Sequence, residues 1–373
     1  MRLFRHGWCL LLIGLLTLLL VLGLGYAYWA GFILHHVNKE NSLDPFFADR
    51  QSYHPVTNTQ SVVLPDDFAF HPAFQNEWWT LLANVSDTKG HRYGVQWTYM
   101  RLAHDDAESV SWDHPQLYLA QVVVSDKHHV WKSQRLSRGG IGQAGLSFAP
   151  FHLWLDNWDW RGVSDMPLPG LLAVDSDELG LKLEMHSALP FVLPGERGYR
   201  RLNREGPVAV YAIDAPRVQI EGSLRLNGVT EPISVSGVAW LSKRWGNDFV
   251  MQKRRNWDWL VFHLEGGTEL SITRFRQVGD LPFSTGLITL PSGEVLNLGP
   301  DEVQVTPQLT ATTDNGHEFP SQWHIQVPAY DIDLTATAMN KDLWLPFIVP
   351  YWQGPVNVSG SHNAQGFMQL TGY

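Results

Sequence analysis

The sequence predicts an all-β protein, an antiparallel sandwich or barrel, and three observations carry that prediction. Short apolar alternations of period two recur from Ser61 to the C-terminus, separated by turn-forming residues. Apolar residues at helical spacing are scarce over the same stretch. One hairpin-like pattern occurs twice, about 180 residues apart, as expected of two related β-domains. At 373 residues the chain also exceeds a usual single domain, which favours two.

Residues 1–36 stand apart. "MRLFRHGWCLLLIGLLTLLLVLGLGYAYWAGFILHH" carries Arg2, Arg5 and His6, then no formal charge from Gly7 to Leu34. As a helix this run is roughly 40 Å long, against roughly 30 Å for the hydrocarbon core of a bilayer. The expectation is a single-pass inner-membrane anchor. Positive charge before the span holds the N-terminus in the cytoplasm and puts the C-terminal bulk in the periplasm. A cleaved signal peptide, giving a secreted form, is the alternative, but only Gly25 and Ala27 offer a small-residue cleavage site. The one cysteine, Cys9, precedes the leucine run, so no disulfide can form within the chain. Residues 37–60 are polar and aperiodic, as a linker would be.

Nine strands follow by alternation and by their flanking turns. In order they are "EWWTLLANV", "YGVQWTYMRL", "QLYLAQVVVSD", "GLKLEMHSAL", "RVQIEGSLRLNG", "ISVSGVAWLS", "WDWLVFHLEGG", "TELSITRFR" and "FMQLTGY". "VSDTKGH" and "LEGGTE" supply the Asp and Gly of tight hairpins. The two copies of the repeat are residues 77–101 and 256–276. Each runs from a tryptophan-bearing strand through a glycine turn to Thr-x-x-Arg, at Thr98–Arg101 and Thr273–Arg276. Arg101 and Arg276 are expected to pair with buried carboxylates.

A net charge of −10 argues against nucleic-acid binding, which needs a basic face. There is no Gly-x-Ser-x-Gly elbow, no phosphate-binding glycine loop and no His-Glu-x-x-His helix. The sixteen histidines include the adjacent pairs His35-His36 and His128-His129; adjacent strand residues point to opposite faces, so no metal site is expected. No cofactor is implied. What distinguishes the chain is its seventeen tryptophans, each a large apolar surface with one polar N–H.

Two of them bracket a polar triplet in "GVAWLSKRWGNDF". On a strand, Trp240, Ser242 and Arg244 share one face, and Leu241, Lys243 and Trp245 share the other. Either face sets a cation beside an aromatic ring, as a ligand pocket or a salt-bridged edge would.

These blocks resemble the CrtC/AttH-type lipocalin-like proteins. "HPAFQNEWWTLLANVSDTKGHRYGVQWTYMR", "FHLWLDNWDW", "PRVQIEGSL", "VSGVAWLSKRWG", "NWDWLVFHLEGGTEL" and "YWQGPVNVSG...GFMQLTGY" match successive family blocks in order, from Ser61 to Tyr373. The resemblance implies tandem calycin barrels, with domains at 61–245 and 246–373. The family includes carotenoid 1,2-hydratases, which add water to a C=C bond, predicted secreted hydrolases, and AttH components encoded with ABC transporters.

The resemblance also shows where this chain departs. The family block usually reads Trp-Leu-Asp-Arg-Glu-Trp-Gly, so its acids fall at Ser242 and Arg244 here. The terminal Tyr-Trp-Glu-Gly falls at Tyr351-Trp352-Gln353-Gly354. Neither a serine hydroxyl nor a guanidinium can protonate an alkene. The expectation is therefore a wall that binds a hydrophobic, lipid-type molecule through Trp240, Ser242, Arg244, Trp245, Trp257, Trp259 and Trp352. The implied role is accessory to an ABC transporter permease at the inner membrane. The alternative is a carotenoid 1,2-hydratase-like enzyme using Asp258 or Glu77, the acids that remain near tryptophans.

Overall fold

The computed structural model describes residues 53–103, 116–140, 142–203, 208–247, 255–277, 281–348 and 350–373. The predicted anchor over 1–36 and most of the predicted linker lie outside the described residues. Among the described residues no helix is long and apolar enough to cross a membrane.

The first sheet begins with β1 (Asn76–Asp87), β2 (Arg92–Ala103), β3 (Gln116–Ser125) and β4 (Val130–Arg138). It continues through β5 (Ala144–Ser147), β6 (His152–Leu155), β7 (Trp158–Gly162), β8 (Gly170–Asp175) and β9 (Leu179–Ser187). The short β10 (Tyr199–Arg201) precedes the long β11 (Ala209–Leu226) and β12 (Ile233–Gly246). Its strand order is β4-β3-β2-β1-β12-β11-β9-β8-β7-β6-β5, with β10 beside β11. The sheet curls into a nearly closed barrel. Side chains link strands near its two ends: the Tyr99 hydroxyl on β2 donates to the Trp154 carbonyl on β6 at 2.9 Å, and Arg135 on β4 reaches Asn157.

The second sheet contains β13 (Arg255–Leu264), β14 (Glu269–Gln277), β15 (Phe283–Thr289), β16 (Val295–Leu298) and β17 (Gln304–Thr312). It is completed by β18 (Glu318–Val327), β19 (Ile332–Ala338), β20 (Trp344–Leu345), β21 (Tyr351–Gly360) and β22 (Ala364–Leu370). The order is β16-β15-β14-β13-β22-β21-β19-β18-β17, with β20 beside β21. It is an open half-barrel, so the all-β expectation holds while only the first sheet approaches closure. All nine predicted strands form, as β1, β2, β3, β9, β11, β12, β13, β14 and β22.

Alternation explains what each strand buries. From Leu181 to His186 the even residues of β9 face water and the odd residues face the core, as a half-buried strand requires. β1 instead is buried on both faces from Asn76 to Val85. Its odd residues enter the first core, and its even residues meet the second sheet. The first core is filled by its own rings. Trp79, Trp97, Phe151 and Trp160 pack edge to face at 5.4–5.6 Å, and Phe68 closes over Trp79. This filled interior holds side chains where a cup-shaped barrel would hold a ligand.

Close approach fixes how the sheets meet. A Cβ on Gly94 would stand 2.6 Å from the Pro355 ring, so only glycine lets β2 lie against β21. The Tyr351 hydroxyl donates to Gln121 Oε1 across the same seam at 2.8 Å.

Candidate site at the seam between the sheets

β12 supplies the wall. Its register with β1 sets Ser242 opposite Thr80, and its register with β11 sets Ser242 opposite Asp214. Trp240, Ser242 and Arg244 face the second sheet. Trp240 packs with Leu82, Trp259, Val261 and Phe367, and the Arg244 guanidinium lies 4.5 Å over the Trp259 ring. Trp257 faces the same seam, its Nε1 donating to Gln369 Oε1 at 3.3 Å. Gln353 is also there, accepting from Gln369 Nε2 at 3.4 Å.

The remaining predicted wall residues lie elsewhere. Trp245 points into the first core, stacked on His71 at 4.1 Å. Trp352 points into the second core, stacked on Phe319 at 4.9 Å, with its Nε1 donating to the Lys341 carbonyl. The seam therefore gathers Trp240, Ser242, Arg244, Trp257 and Trp259 and leaves Trp245 and Trp352 behind.

Glu77 and Asp258 occupy corresponding places in the two cores. Glu77 Oε1 accepts from Lys243 Nζ at 2.7 Å, Oε2 accepts from the His71 backbone N–H at 2.8 Å, and Arg101 Nε stands 3.7 Å away. Lys243 Nζ also donates to the Asp67 and Ala69 carbonyls, pinning the entry segment over the barrel end. Burial pushes the Glu77 carboxyl up. Lys243, His71 and Arg101 together outweigh burial and hold it well below the usual carboxylate range. Asp258 accepts from Arg274 Nη1 and from Arg276 Nε and Nη2, each at 3.0 Å, and from the Tyr373 hydroxyl at 3.1 Å. The expected carboxylate pairing of Arg101 and Arg276 is met in both copies of the repeat. Both carboxylates are saturated with partners and face away from the seam.

The acid that does face the seam is Asp214, which pattern reading passed over. It is 1% exposed, and its Oδ1 has no hydrogen-bond partner among the described residues. It lines a cavity of about 250 Å³ with Arg200, Ser271, Thr285 and Leu287. Burial pushes its pKa up; the Arg244 charge, the Ser242 hydroxyl, the Arg200 charge and the Trp240 N–H pull it down, and burial prevails. Arg200 enters from the cavity side, donating to Thr273 Oγ1 at 2.7 Å and Thr285 Oγ1 at 3.3 Å. Ser242 and Trp240 turn their polar atoms toward Asp214, and Gln353 Nε2 is buried without a partner among the described residues. A buried polar atom left unmet costs about 1–3 kcal/mol.

The AttH-like family model matches residues 55–373. The chain belongs to the AttH-like family. No curated protein sequence matches it. Solved structures do. A Nitrosomonas europaea protein assigned to AttH is 25% identical, with a TM-score of 0.76 over 86% of this chain and 99% of that one. Kievitone hydratase from Nectria haematococca is 15% identical, with a TM-score of 0.62 over 87% of this chain and 97% of that one. CghA, solved with Sch210972, is 11% identical, with a TM-score of 0.52 over 88% and 96%. The last two likenesses are of fold. This AttH-like chain thus shares its overall fold with both of them.

Proposed function

We propose that this AttH-like protein holds a hydrophobic, lipid-type molecule in the seam between its two sheets. The observation that carries the reading is the composition of that seam. Trp240, Trp257 and Trp259 offer apolar faces, while Asp214 Oδ1 and Gln353 Nε2 are buried polar atoms without partners among the described residues. Apolar walls with a few placed polar groups are what orient a small ligand. The apolar run from Gly7 to Leu34 supports a tether that keeps the folded part beside the membrane its ligand comes from. The resemblance to AttH components supports a place beside an ABC transporter permease.

Native mass spectrometry of full-length protein extracted gently from membranes tests this. The expected result is a co-purifying lipid-type mass, with tryptophan fluorescence quenched by added polyene or fatty acid. Empty protein with unquenched tryptophans would overturn the reading.

Asp214 favours a second reading, addition of water to a C=C bond. A buried carboxyl with a raised pKa, directly across from Ser242, restores an acid to the wall that lacks one at Ser242 and Arg244. Incubation with an acyclic carotenoid should then yield a hydrated product, lost in Asp214→Asn. Product formation unchanged in that variant would remove Asp214 from the chemistry.

A further inference from the structure

A second polar cluster joins the two sheets beyond the Asp214 cavity. It starts at a β-bulge. The ladder between β11 and β12 shifts register between Ala215 and Val218, around Pro216 and Arg217. From this bulge Arg217 crosses to the second sheet, where its Nε donates to Glu269 Oε1. The other carboxylate oxygen, Oε2, meets His263 Nδ1 at 2.5 Å; the two residues are direct cross-strand partners on β13 and β14.

An ionised carboxylate only accepts, so His263 Nδ1 carries the hydrogen and Nε2 keeps its lone pair. Arg217 already balances the charge of Glu269, and a resting imidazolium would add an uncompensated charge to a site that is 4% exposed at the histidine. His263 Nε2 is buried without a partner among the described residues. His263 lines an open cavity of about 520 Å³ together with Arg92, Arg217, Glu265, Asn363 and Gln365. A carboxylate-oriented imidazole whose free nitrogen is buried beside a cavity is an arrangement for accepting a proton.

We propose that His263 is the proton-accepting base of a second site, oriented by Glu269 and Arg217, for a small ligand bearing an acidic hydroxyl of the phenol or enol class. The ligand O–H bond breaks as the Nε2–H bond forms. The imidazolium is held by Glu269, and the oxygen anion faces the guanidiniums of Arg217 and Arg92 that line the same cavity. An ordinary alcohol is too weak an acid to give its proton to imidazole, which restricts the class. The site uses none of the seam residues assigned to lipid binding, so its test is independent of that reading.

The probe is 4-nitrophenol, whose phenolate absorbs apart from its phenol, at a pH where the free compound is mostly protonated. Full-length protein should raise the phenolate band. His263→Gln should abolish the rise, and Glu269→Gln, which removes the group that orients the ring, should reduce it about tenfold. No rise with wild type, or a full rise with His263→Gln, overturns the proposal. A second measurement needs no variant. In nitrogen NMR of the wild-type imidazoles, His263 Nε2 should be unprotonated alone and protonated when 4-nitrophenol is bound. An Nε2 that already carries hydrogen, or that does not change on saturation, also overturns it.

Discussion

Glu77 and Asp214 lie on the two strands that flank β12, both buried and both within reach of cations, yet their carboxyls are driven in opposite directions. Glu77 sits opposite Trp245 on the core side, where Lys243, His71 and Arg101 converge on it. Asp214 sits opposite Ser242 on the seam side, with one oxygen unpartnered and a cavity in front. Burial is the largest influence on each, so burial alone does not distinguish a structural carboxylate from a chemical one. The balance does: its charged partners outweigh burial at Glu77, and burial outweighs the partners at Asp214. A saturated carboxylate is kept ionised and inert, whereas a partly satisfied one facing a cavity is ready to bind or to exchange a proton.

Removing charge from each side tests this contrast, and the largest effect is expected at Glu77. Glu77→Gln leaves Lys243 buried against an amide and should cost about 3–5 kcal/mol in urea unfolding. A loss below about 1 kcal/mol would mean that the cluster is not what holds the barrel end. Asp258→Asn, its counterpart in the second sheet, strands Arg274 and Arg276 and should cost nearly as much, about 3 kcal/mol. Gly94→Val drives a side chain into Pro355 and should cost about 1–3 kcal/mol while loosening the seam. Unchanged stability there would show that the sheets are not held at the distance seen.

Smaller effects belong to the seam. Trp259→Leu removes the ring under Arg244 and should weaken binding of a fatty acid or polyene about tenfold, near 1.4 kcal/mol, by fluorescence titration. Asp214→Asn should change stability least, and with the opposite sign to Glu77→Gln, gaining up to about 1 kcal/mol at neutral pH. The pH dependences differ in the same way. The contribution of Glu77 is present above its unfolded pKa and is lost as pH falls toward its depressed folded value. For Asp214 the folded pKa is raised, so its contribution is full below its unfolded pKa and is lost as pH rises through the folded value. Unfolding free energies of the two variants should therefore diverge from wild type in opposite directions toward neutral pH and approach it as pH falls.

Much of the fold was legible. β2 sets Tyr93, Trp97 and Tyr99 on one face with Gln96 and Thr98 on the other, and β13 opens with Trp257 and Trp259 about Asp258. The glycine turns of the two hairpins adopt the left-handed backbone, at Gly90 with φ 84° and at Gly266 and Gly267 with φ 87° and 90°. Strands such as β4, "VWKSQRLSR", and β17, "QVTPQLTAT", were not. Both are partly or largely exposed, and β17 contains Pro307, so neither carries the apolar signal that marks a strand. In the candidate site, tryptophan-rich motifs drew attention to Trp245 and Trp352, which turned out to pack the two cores. Asp214, between Ile213 and Ala215, and His263, between Phe262 and Leu264, have no motif around them.

By itself the sequence determined the β class, the repeat with its carboxylate–arginine pairing, and the division of β12 into a Trp240-Ser242-Arg244 face and a Leu241-Lys243-Trp245 face. Each of these follows from local periodicity, which any strand imposes on its own residues. Only the tertiary structure decided which face met the core and which met the second sheet, because alternation leaves that choice open. It also decided the partner of Ser242. Counting back from the pair Leu224 and Ile233 across the hairpin would set Ala215 opposite Ser242; the bulge at Pro216 and Arg217 shifts the register by one and brings Asp214 there instead. That single inserted residue turns Asp214 toward the cavity beside Arg200 and sends Arg217 across to Glu269, so both candidate sites depend on a pairing that no local pattern records.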